Sequence, residues 1–234
     1  MFHCGKSISI DIINCSPNQP FPVQILNETE IDLFAVNNTE YSIVIQNSAN
    51  VVSAVSIFCD GMCTKNRELS LGDFPSTLYD AGGVYIVKPQ ATITINGFSN
   101  HDGTVNAFRF SDYNMDSAAL GMGVTGRTGV IDIISYFVRF NQHISKKIDD
   151  NTLDTLDNLL QAYKEAKNSC EYFDDDEDSD DDEDSPITMH FVTTESTTKE
   201  DVYQKLYEAY RYAINKNLCI FEKDTHAKIF LRES

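Results

Sequence analysis

The sequence contains no tryptophan, few prolines and glycines for its length, and half as many basic as acidic residues. Its 6 prolines and 11 glycines in 234 residues are far below the content of collagen-like or low-complexity chains. Its apolar runs are well short of the roughly 18 residues that a membrane-spanning helix needs. These absences exclude a fibrous chain and a helical membrane span, and indicate one large folded domain or two small ones.

The shortage of basic residues also excludes a class of partner. With 18 basic and 36 acidic residues the net charge is −18, which opposes binding to a nucleic-acid backbone, so no nucleic-acid partner is predicted. Much of this charge is local, because ten of the eleven positions at 174–184 are acidic. The remaining 26 acidic residues against 18 basic ones make the rest of the chain only mildly acidic.

Cysteine usage and the N-terminus indicate the compartment. Six cysteines are spread thinly over the chain, which is unlike a secreted disulfide scaffold and typical of reduced thiols. The first twenty residues lack a basic segment followed by an apolar core, so no signal peptide is predicted. We expect a cytoplasmic protein, or one in the host cytoplasm or the virion if the chain is viral.

The first 140 residues have the pattern of an all-β domain. Short apolar runs rich in β-branched residues alternate with turn formers such as Asp60-Gly61 and Asn96-Gly97. This pattern predicts a β-sandwich or jelly roll, in which Phe108 and Phe110 face the core and Arg109 faces outward. The predicted strands are 7–13, 21–26, 31–36, 41–46, 53–59, 83–87, 92–95, 106–110 and 129–140.

The pattern changes in residues 141–234, which we interpret as a small α+β unit that packs on the sandwich or stands alone. A first helix carries Leu153, Leu156, Leu160 and Tyr163 on one face, and Asn151 or Thr152 would cap it. A capping box from Thr197 to Glu200 would open a second helix that stops near Asn217. The remaining predicted elements are a strand at 187–193 and a closing hairpin of 218–222 with 227–231.

Two features of this unit are candidate protein contacts. The acidic run is predicted to be a disordered, solvated loop that could bind a basic partner in a salt-sensitive way. Ser179 and Ser185 lie beside the acids, a context that favours phosphorylation. The second helix adds an aromatic face that either meets a partner or packs on its own sheet. The candidate contact residues are Asp174, Asp175, Asp176, Glu177, Asp178, Asp180, Asp181, Asp182, Glu183, Asp184, Tyr203 and Tyr207.

Motifs for cofactor chemistry are incomplete. Cys59 and Cys63 have a spacing that zinc sites use, but no second pair with ligand spacing follows, so they are either half of a zinc site or incidental thiols. The glycines at 121, 123 and 126 match a phosphate-binding pattern but precede a predicted strand rather than a helix. No cofactor and no metal are therefore predicted.

The glycine-rich segment 112–128 is predicted to be a long ordered loop between two late strands, and loops of this kind often carry function. This loop, or the turn at His101 and Asp102, is a candidate ligand site. Its candidate residues are His101, Asp102, Asp112, Asp116 and Arg127.

Several short motifs in residues 41–136 follow one another in an informative order. They are VSIFCDG at 55–61, VYIVKP at 84–89, TINGF at 94–98, AFRFS at 107–111, SAA at 117–119 and GVIDI at 129–133. This order resembles an uncharacterised β-sandwich family of bacterial and large-DNA-virus proteins, with Ala118 in place of the family's tyrosine. The resemblance implies a fold and supplies no catalytic residues.

These observations lead to one expected function and two alternatives. We expect a non-enzymatic structural or protein-interaction protein, such as a minor capsid or vertex component of a large-DNA-virus virion that self-assembles. One alternative is a hydrolase or a ligand- or carbohydrate-binding module, with its site at the 112–128 loop or near His101 and Asp102. The other is an acidic adaptor for a basic protein.

Overall fold

The structure, a computed structural model, describes residues 2–4, 7–69, 77–78, 83–111, 128–140, 150–170 and 197–233. The strands, in chain order, are β1 (Phe2–Cys4), β2 (Ile8–Asn14), β3 (Gln19–Pro20), β4 (Val23–Ile25), β5 (Glu30–Ala35), β6 (Glu40–Asn47), β7 (Ser53–Cys59), β8 (Met62–Cys63), β9 (Thr77–Leu78), β10 (Tyr85–Val87), β11 (Thr92–Ile95), β12 (Gly97–Ser99), β13 (Val105–Arg109), β14 (Val130–Phe140) and β15 (Cys219–Glu233). The helices are α1 (Asp150–Ser169) and α2 (Lys199–Asn215).

The strands form two sheets. Sheet I has the order β1-β2-β6-β13-β12, with β3 beside β2 and β11 beside β6. Sheet II has the order β10-β7-β14-β15-β5-β4, with β8 beside β7 and β9 beside β15. Strands β15 and β5 are parallel, while β15 is antiparallel to β14 along its length.

A shared core joins the two sheets into a sandwich. Ile10 and Ile43 of sheet I and Ile57 and Ile133 of sheet II belong to the same buried cluster. Such β-branched side chains pack well on pleated surfaces and crowd a helix, which explains why these segments form strands.

The inward positions of Phe108 and Phe110 are confirmed. Both rings are buried and stack on Tyr41, with centroid distances of 5.0 Å and 4.1 Å. Between them, Arg109 is exposed and its Nη2 donates to Glu40 Oε1 at 2.6 Å. The alternation follows from the two-residue period of a strand.

The helices cover the other face of sheet II. Ile134, Tyr136 and Val138 of β14 pack there in one cluster with Leu156 of α1 and Ile214 of α2. The fold is therefore mainly β, with a small helical portion from the C-terminal part of the chain, as predicted.

The sequence located most strands closely. Strands β7 and β11 have the predicted bounds, and the other seven predicted strands agree within about two residues at each end, the scatter that assignment alone produces. It did not predict the short strands β1, β3, β8, β9 and β12. The predicted strand at 187–193, the acidic run and most of the 112–128 loop lie outside the described residues.

The predicted closing hairpin is wrong. Residues 218–222 and 227–231 do not pair with each other, because the chain continues through them as the single strand β15. A bulge opposite Ser135 and Tyr136 absorbs an extra residue of β15. Since β15 lies between β14 and β5, the C-terminal part packs on the sandwich and supplies a central strand of sheet II.

The helix ends differ slightly from prediction. Thr198, not Thr197, caps α2, because its Oγ1 accepts from Asp201 N while Asp201 Oδ2 accepts from Thr198 N. Helix α1 already includes Asp150, so Asn151 and Thr152 lie inside its first turn rather than at the cap.

The end of α2 and one of the two turn dipeptides agree with the prediction. Asn217, the residue after the C-cap Lys216 of α2, has a φ of 57°, which fits a helix end. Asp60 and Gly61 have φ angles of 52° and 83° and turn the chain between β7 and β8.

The second dipeptide, Asn96-Gly97, does not close a hairpin. Strand β11 pairs with β6 and β12 pairs with β13, so the dipeptide marks a change of partner along one sheet edge.

Candidate functional surfaces

The structure describes one part of the predicted ligand site, the turn at His101 and Asp102. His101 and Asp102 are exposed at the tip of the β12–β13 hairpin. Asp102 Oδ1 accepts hydrogen bonds from Thr104 Oγ1 at 2.6 Å and from Thr104 N at 2.9 Å, and these bonds lower the pKa of Asp102. This is the geometry of a self-contained turn. Asp112, Asp116 and Arg127 lie outside the described residues.

Of the predicted partner contacts, the structure describes Tyr203 and Tyr207. Tyr203 is buried, and its hydroxyl donates to Asn50 Oδ1 at 2.6 Å, so it is a packing residue of this chain. Tyr207 remains half-buried, with Lys88 Nζ 5.8 Å from its ring centroid. The acidic residues from Asp174 to Asp184, with Ser179 and Ser185, lie outside the described residues, and their role as an adaptor stays a prediction.

Cys59 and Cys63 are separate buried thiols that form no disulfide. Tyr41 OH donates to Cys59 Sγ at 3.8 Å, and Cys63 Sγ donates to Gly83 O at 3.5 Å. Burial raises the pKa of both thiols, which disfavours the thiolate that metal binding and nucleophilic attack require.

Within the described ranges, no group of three or more His, Cys, Asp and Glu side chains could hold a metal ion. Neither α1 nor α2 combines the length and the apolar character that crossing a membrane requires.

A groove lies between α2 and the adjoining edges of both sheets, and we call it the α2 groove. It has a volume of about 460 Å³. Its apolar wall contains Ile86 of β10, Ile93 and Ile95 of β11, and Ile214 of α2. The other lining residues are Lys65, Tyr85, Thr94, Asn96, Gly97, Ser99, Val105, Tyr207, Arg211 and Asn215.

A second cavity, of about 380 Å³, lies at one end of the sandwich beside Asp60, Arg109 and Arg232. Both arginines are already neutralised, Arg109 by Glu40 and Arg232 by Asp32 at 2.8 Å. Asp60 Oδ1 accepts from Gly129 N at 2.7 Å, and burial raises the pKa of Asp60. The charged groups of this cavity are therefore occupied by contacts within the chain.

The third surface is the edge strand β4, whose described strand neighbour is β5 alone. Phe34 N donates to Pro22 O and Leu26 N donates to Glu30 O, each at 3.0 Å. Because antiparallel strands alternate in direction, the backbone groups of Val23 and Ile25 point away from β5 toward the outer edge. Their side chains are 45% and 67% exposed, a high fraction for apolar residues in a strand.

The surroundings of β4 carry little uncompensated charge. Residues 15–27 contain no acidic or basic side chain. The acids on β5 are paired with bases of β15, Asp32 with Arg232 at 2.8 Å and Glu30 with Lys228 at 3.9 Å. In a chain of net charge −18, this edge is an apolar, nearly neutral surface.

Among the residues that line the α2 groove, sequence reasoning identifies only Tyr207 as a candidate contact residue. Lys65 follows β8 and Arg211 lies in α2, and no local pattern connects positions so far apart in the chain. The β4 edge has a visible signal in the sequence, the long uncharged stretch before residue 28, but its apolar pattern alone predicts an ordinary strand.

Comparisons of the chain with protein-family models, with curated proteins and with solved structures find no match. The resemblance to the bacterial and viral β-sandwich family therefore stays a prediction.

Proposed function

We propose that this protein is a non-enzymatic assembly protein, in which copies of the sandwich associate through their β4 edges. The observation that carries the proposal is the exposed apolar strand Val23–Ile25, with outward-facing backbone groups. An edge of this kind is a template for pairing with another strand, and proteins that remain monomeric usually protect it with charge. Strand β4 carries no charged side chain that would protect it in this way.

The strand suits a second copy of itself. If two β4 strands meet antiparallel about a two-fold axis, Val23 lies opposite the partner's Ile25, and Gln24 lies opposite Gln24. Both outward-facing residues then exchange backbone hydrogen bonds, and the contact is the same on both copies, as a closed dimer requires. Since the rest of the chain is acidic, repulsion is weakest when the copies meet at this neutral edge.

The non-enzymatic part of the proposal is supported by the state of four of the six cysteines. Burial raises the pKa of Cys4, Cys59, Cys63 and Cys219, which keeps these thiols protonated at neutral pH. The carboxylate of Asp60 is engaged with the backbone of Gly129.

The test is the mass in solution, measured by size exclusion with light scattering at low and high salt. We expect a dimer that high salt strengthens, because salt screens the repulsion between acidic copies and leaves the apolar contact intact. Ile25→Lys should give a monomer, whereas Val51→Lys, at an equally apolar site that is 53% exposed, should leave the dimer unchanged. A monomeric wild type at both salt concentrations, or an Ile25→Lys variant that still associates, contradicts the proposal.

A virion is the setting we propose for such assembly, with the protein as a minor capsid or vertex component of a large DNA virus. The support is the family resemblance and a composition rich in Asn, Asp and Ile. Antibody labelling of purified particles tests this setting separately, and particles without the protein contradict it while leaving the dimer in place.

A further inference from the structure

The α2 groove has a charge opposite to that of the chain. Among the described residues that line it, Lys65 and Arg211 are the charged ones and none is a carboxylate. The sequence as a whole has twice as many acidic as basic residues. Two cations above apolar walls concentrate a positive potential inside the cleft, which attracts an anion and repels a cation.

Lys65 is held at the groove by the backbone. Its Nζ donates to Val84 O and lies 5.6 Å from the centroid of the Tyr85 ring. The Tyr85 hydroxyl is itself fixed by Thr64 Oγ1 at 3.1 Å. An ammonium group has three N–H donors, and Val84 O takes one of them, so the group retains donors for a ligand.

The partial burial of Lys65 has an energetic consequence. Desolvation lowers the pKa of Lys65, because its described surroundings compensate the buried charge incompletely. An anion bound in the groove would supply that compensation and favour the ammonium form.

Arg211 supplies the second cation, from the exposed side of α2. It forms no ion pair with any residue in the described part of the chain, in contrast to Arg109, Arg139 and Arg232. Lys88, which lies near Tyr207, is tied to Glu200 at 3.3 Å and Gln204 at 2.8 Å. Arg211 and Lys65 are therefore the cations that the groove offers to a ligand.

The apolar walls of the α2 groove determine the chemistry of the uncharged part of the ligand. Ile86, Ile93, Ile95 and Ile214 form an apolar surface, and Tyr207 is half-buried beside it. A volume of about 460 Å³ lies within the range of small-molecule sites. We propose that the α2 groove binds a small amphipathic anion, with its carboxylate or phosphate at Lys65 and Arg211 and its alkyl or aryl body on the isoleucines.

Isothermal titration calorimetry with four ten-carbon probes, each below its micelle concentration, tests the charge requirement. We expect decanoate and decyl phosphate to bind about tenfold or more tightly than decanol, because decanol has no charged group that could hydrogen-bond to Lys65 and Arg211. Decyltrimethylammonium should bind weakest. The ratio of decanoate to decyl phosphate distinguishes a carboxylate site from a phosphate site. No binding of either anion, or equal binding of all four probes, overturns the proposal.

Variants locate the site. Arg211→Glu, on an exposed position that should not affect folding, should lower the affinity for decanoate by about tenfold or more. Lys65→Met keeps the apolar stem and should do the same. Arg139→Met removes an exposed arginine outside the groove and should leave binding unchanged. Unaltered binding in Arg211→Glu overturns the proposal. Ile25→Lys should still bind decanoate, so a failure of this site and a failure of β4 pairing are distinguishable.

Discussion

His226 of β15 and Asp132 of β14 form a hydrogen-bonded pair across the two central strands of sheet II, with Nε2 2.7 Å from Oδ1. Their side chains are only 20% and 4% exposed. The pair is diagonal in the ladder, because Asp132 lies opposite Lys228 and His226 lies opposite Ile134. A carboxylate this deeply buried needs hydrogen-bond partners, so the imidazole stabilises the sheet at this point.

Replacing the histidine should therefore destabilise the fold. We expect His226→Leu to lower the free energy of unfolding by about 1–3 kcal/mol, because Asp132 keeps its burial and loses a partner. Urea unfolding measures the change. Lys228→Met, which breaks an exposed pair on the same strand, should cost less than about 1 kcal/mol. The double variant Asp132→Leu, His226→Leu should lose less free energy of unfolding than the two single variants lose in total. Strict additivity would contradict this interpretation.

The same strand shows where sequence reasoning fails. The β-branched alternation in β2, β6 and β7 predicted strands close to the observed ones, because each buries one face against the opposite sheet. In β15 the polar stretch 222–226 interrupts the apolar pattern, and the sequence therefore predicts a turn at 223–226 between two short strands. The stretch stays extended because neighbouring strands satisfy its side chains, as in Ser135 Oγ with Asp224 Oδ2 at 3.2 Å.

Substitutions at two adjacent threonines show which residue caps α2. Thr198→Ala removes the acceptor for Asp201 N and should cost about 0.5–2 kcal/mol. Thr197→Ala should stay within about 0.5 kcal/mol, because Thr197 precedes the cap. Thermal or urea unfolding of the two variants is the measurement. If Thr197→Ala were the more damaging change, the helix would begin one residue earlier, as the sequence pattern predicted.

The candidate sites were harder to predict than the strands. The α2 groove combines residues from β10, β11, α2 and the segment after β8, and only the packing of the two sheets and the helix brings them together. Periodicity describes neighbours within one element, so it contains no information about Lys65 and Arg211 sharing a cleft. His101 and Asp102 are adjacent polar residues of the kind that form sites, but the contacts of Asp102 are those of a turn.

The edge that borders the groove depends on one glycine. A Cβ on Gly97 would lie 2.0 Å from Asn106 O, a backbone atom of the paired strand β13. Gly97→Ala should therefore destabilise the protein by at least ~2 kcal/mol through overpacking. Gly103→Ala is the control. The φ of 82° at Gly103 is strained for alanine, but an added Cβ would have no atom within 4 Å. Its expected cost is about 1 kcal/mol, and equal effects would argue against the close approach at Gly97.

The six cysteines should differ sharply in reactivity. Cys15 is exposed and the other five are buried. Burial raises the pKa of Cys4 to about 11 and that of Cys219 to about 12, so almost no thiolate exists there near neutral pH. Alkylation of the native protein followed by peptide mass spectrometry should label Cys15 alone. Cys15→Ser should prevent rapid labelling, whereas urea should expose all the remaining thiols. Rapid native labelling of Cys59 or Cys63 would contradict the buried state.

Asp60 should make stability depend on pH. Burial raises its pKa above the ordinary 3.8, and hydrogen bonds from the backbone of Gly129 and Val130 oppose the rise only in part. The folded state therefore holds this proton more tightly than the unfolded state. As pH rises from 3.8 toward the raised pKa, the unfolded chain loses the proton first, so the wild type loses stability.

Asp60→Asn removes this titration and keeps an oxygen that accepts from Gly129 N. The variant should gain stability relative to the wild type as pH rises from about 3 to about 7, which urea unfolding at each pH measures. Asp102→Asn is the matched control with the opposite sign, because hydrogen bonds from Thr104 lower the pKa of Asp102. In the Asp102→Asn comparison, the wild type gains stability relative to the variant as pH rises. A difference between wild type and Asp60→Asn that is constant with pH would show that burial does not disfavour the charged Asp60.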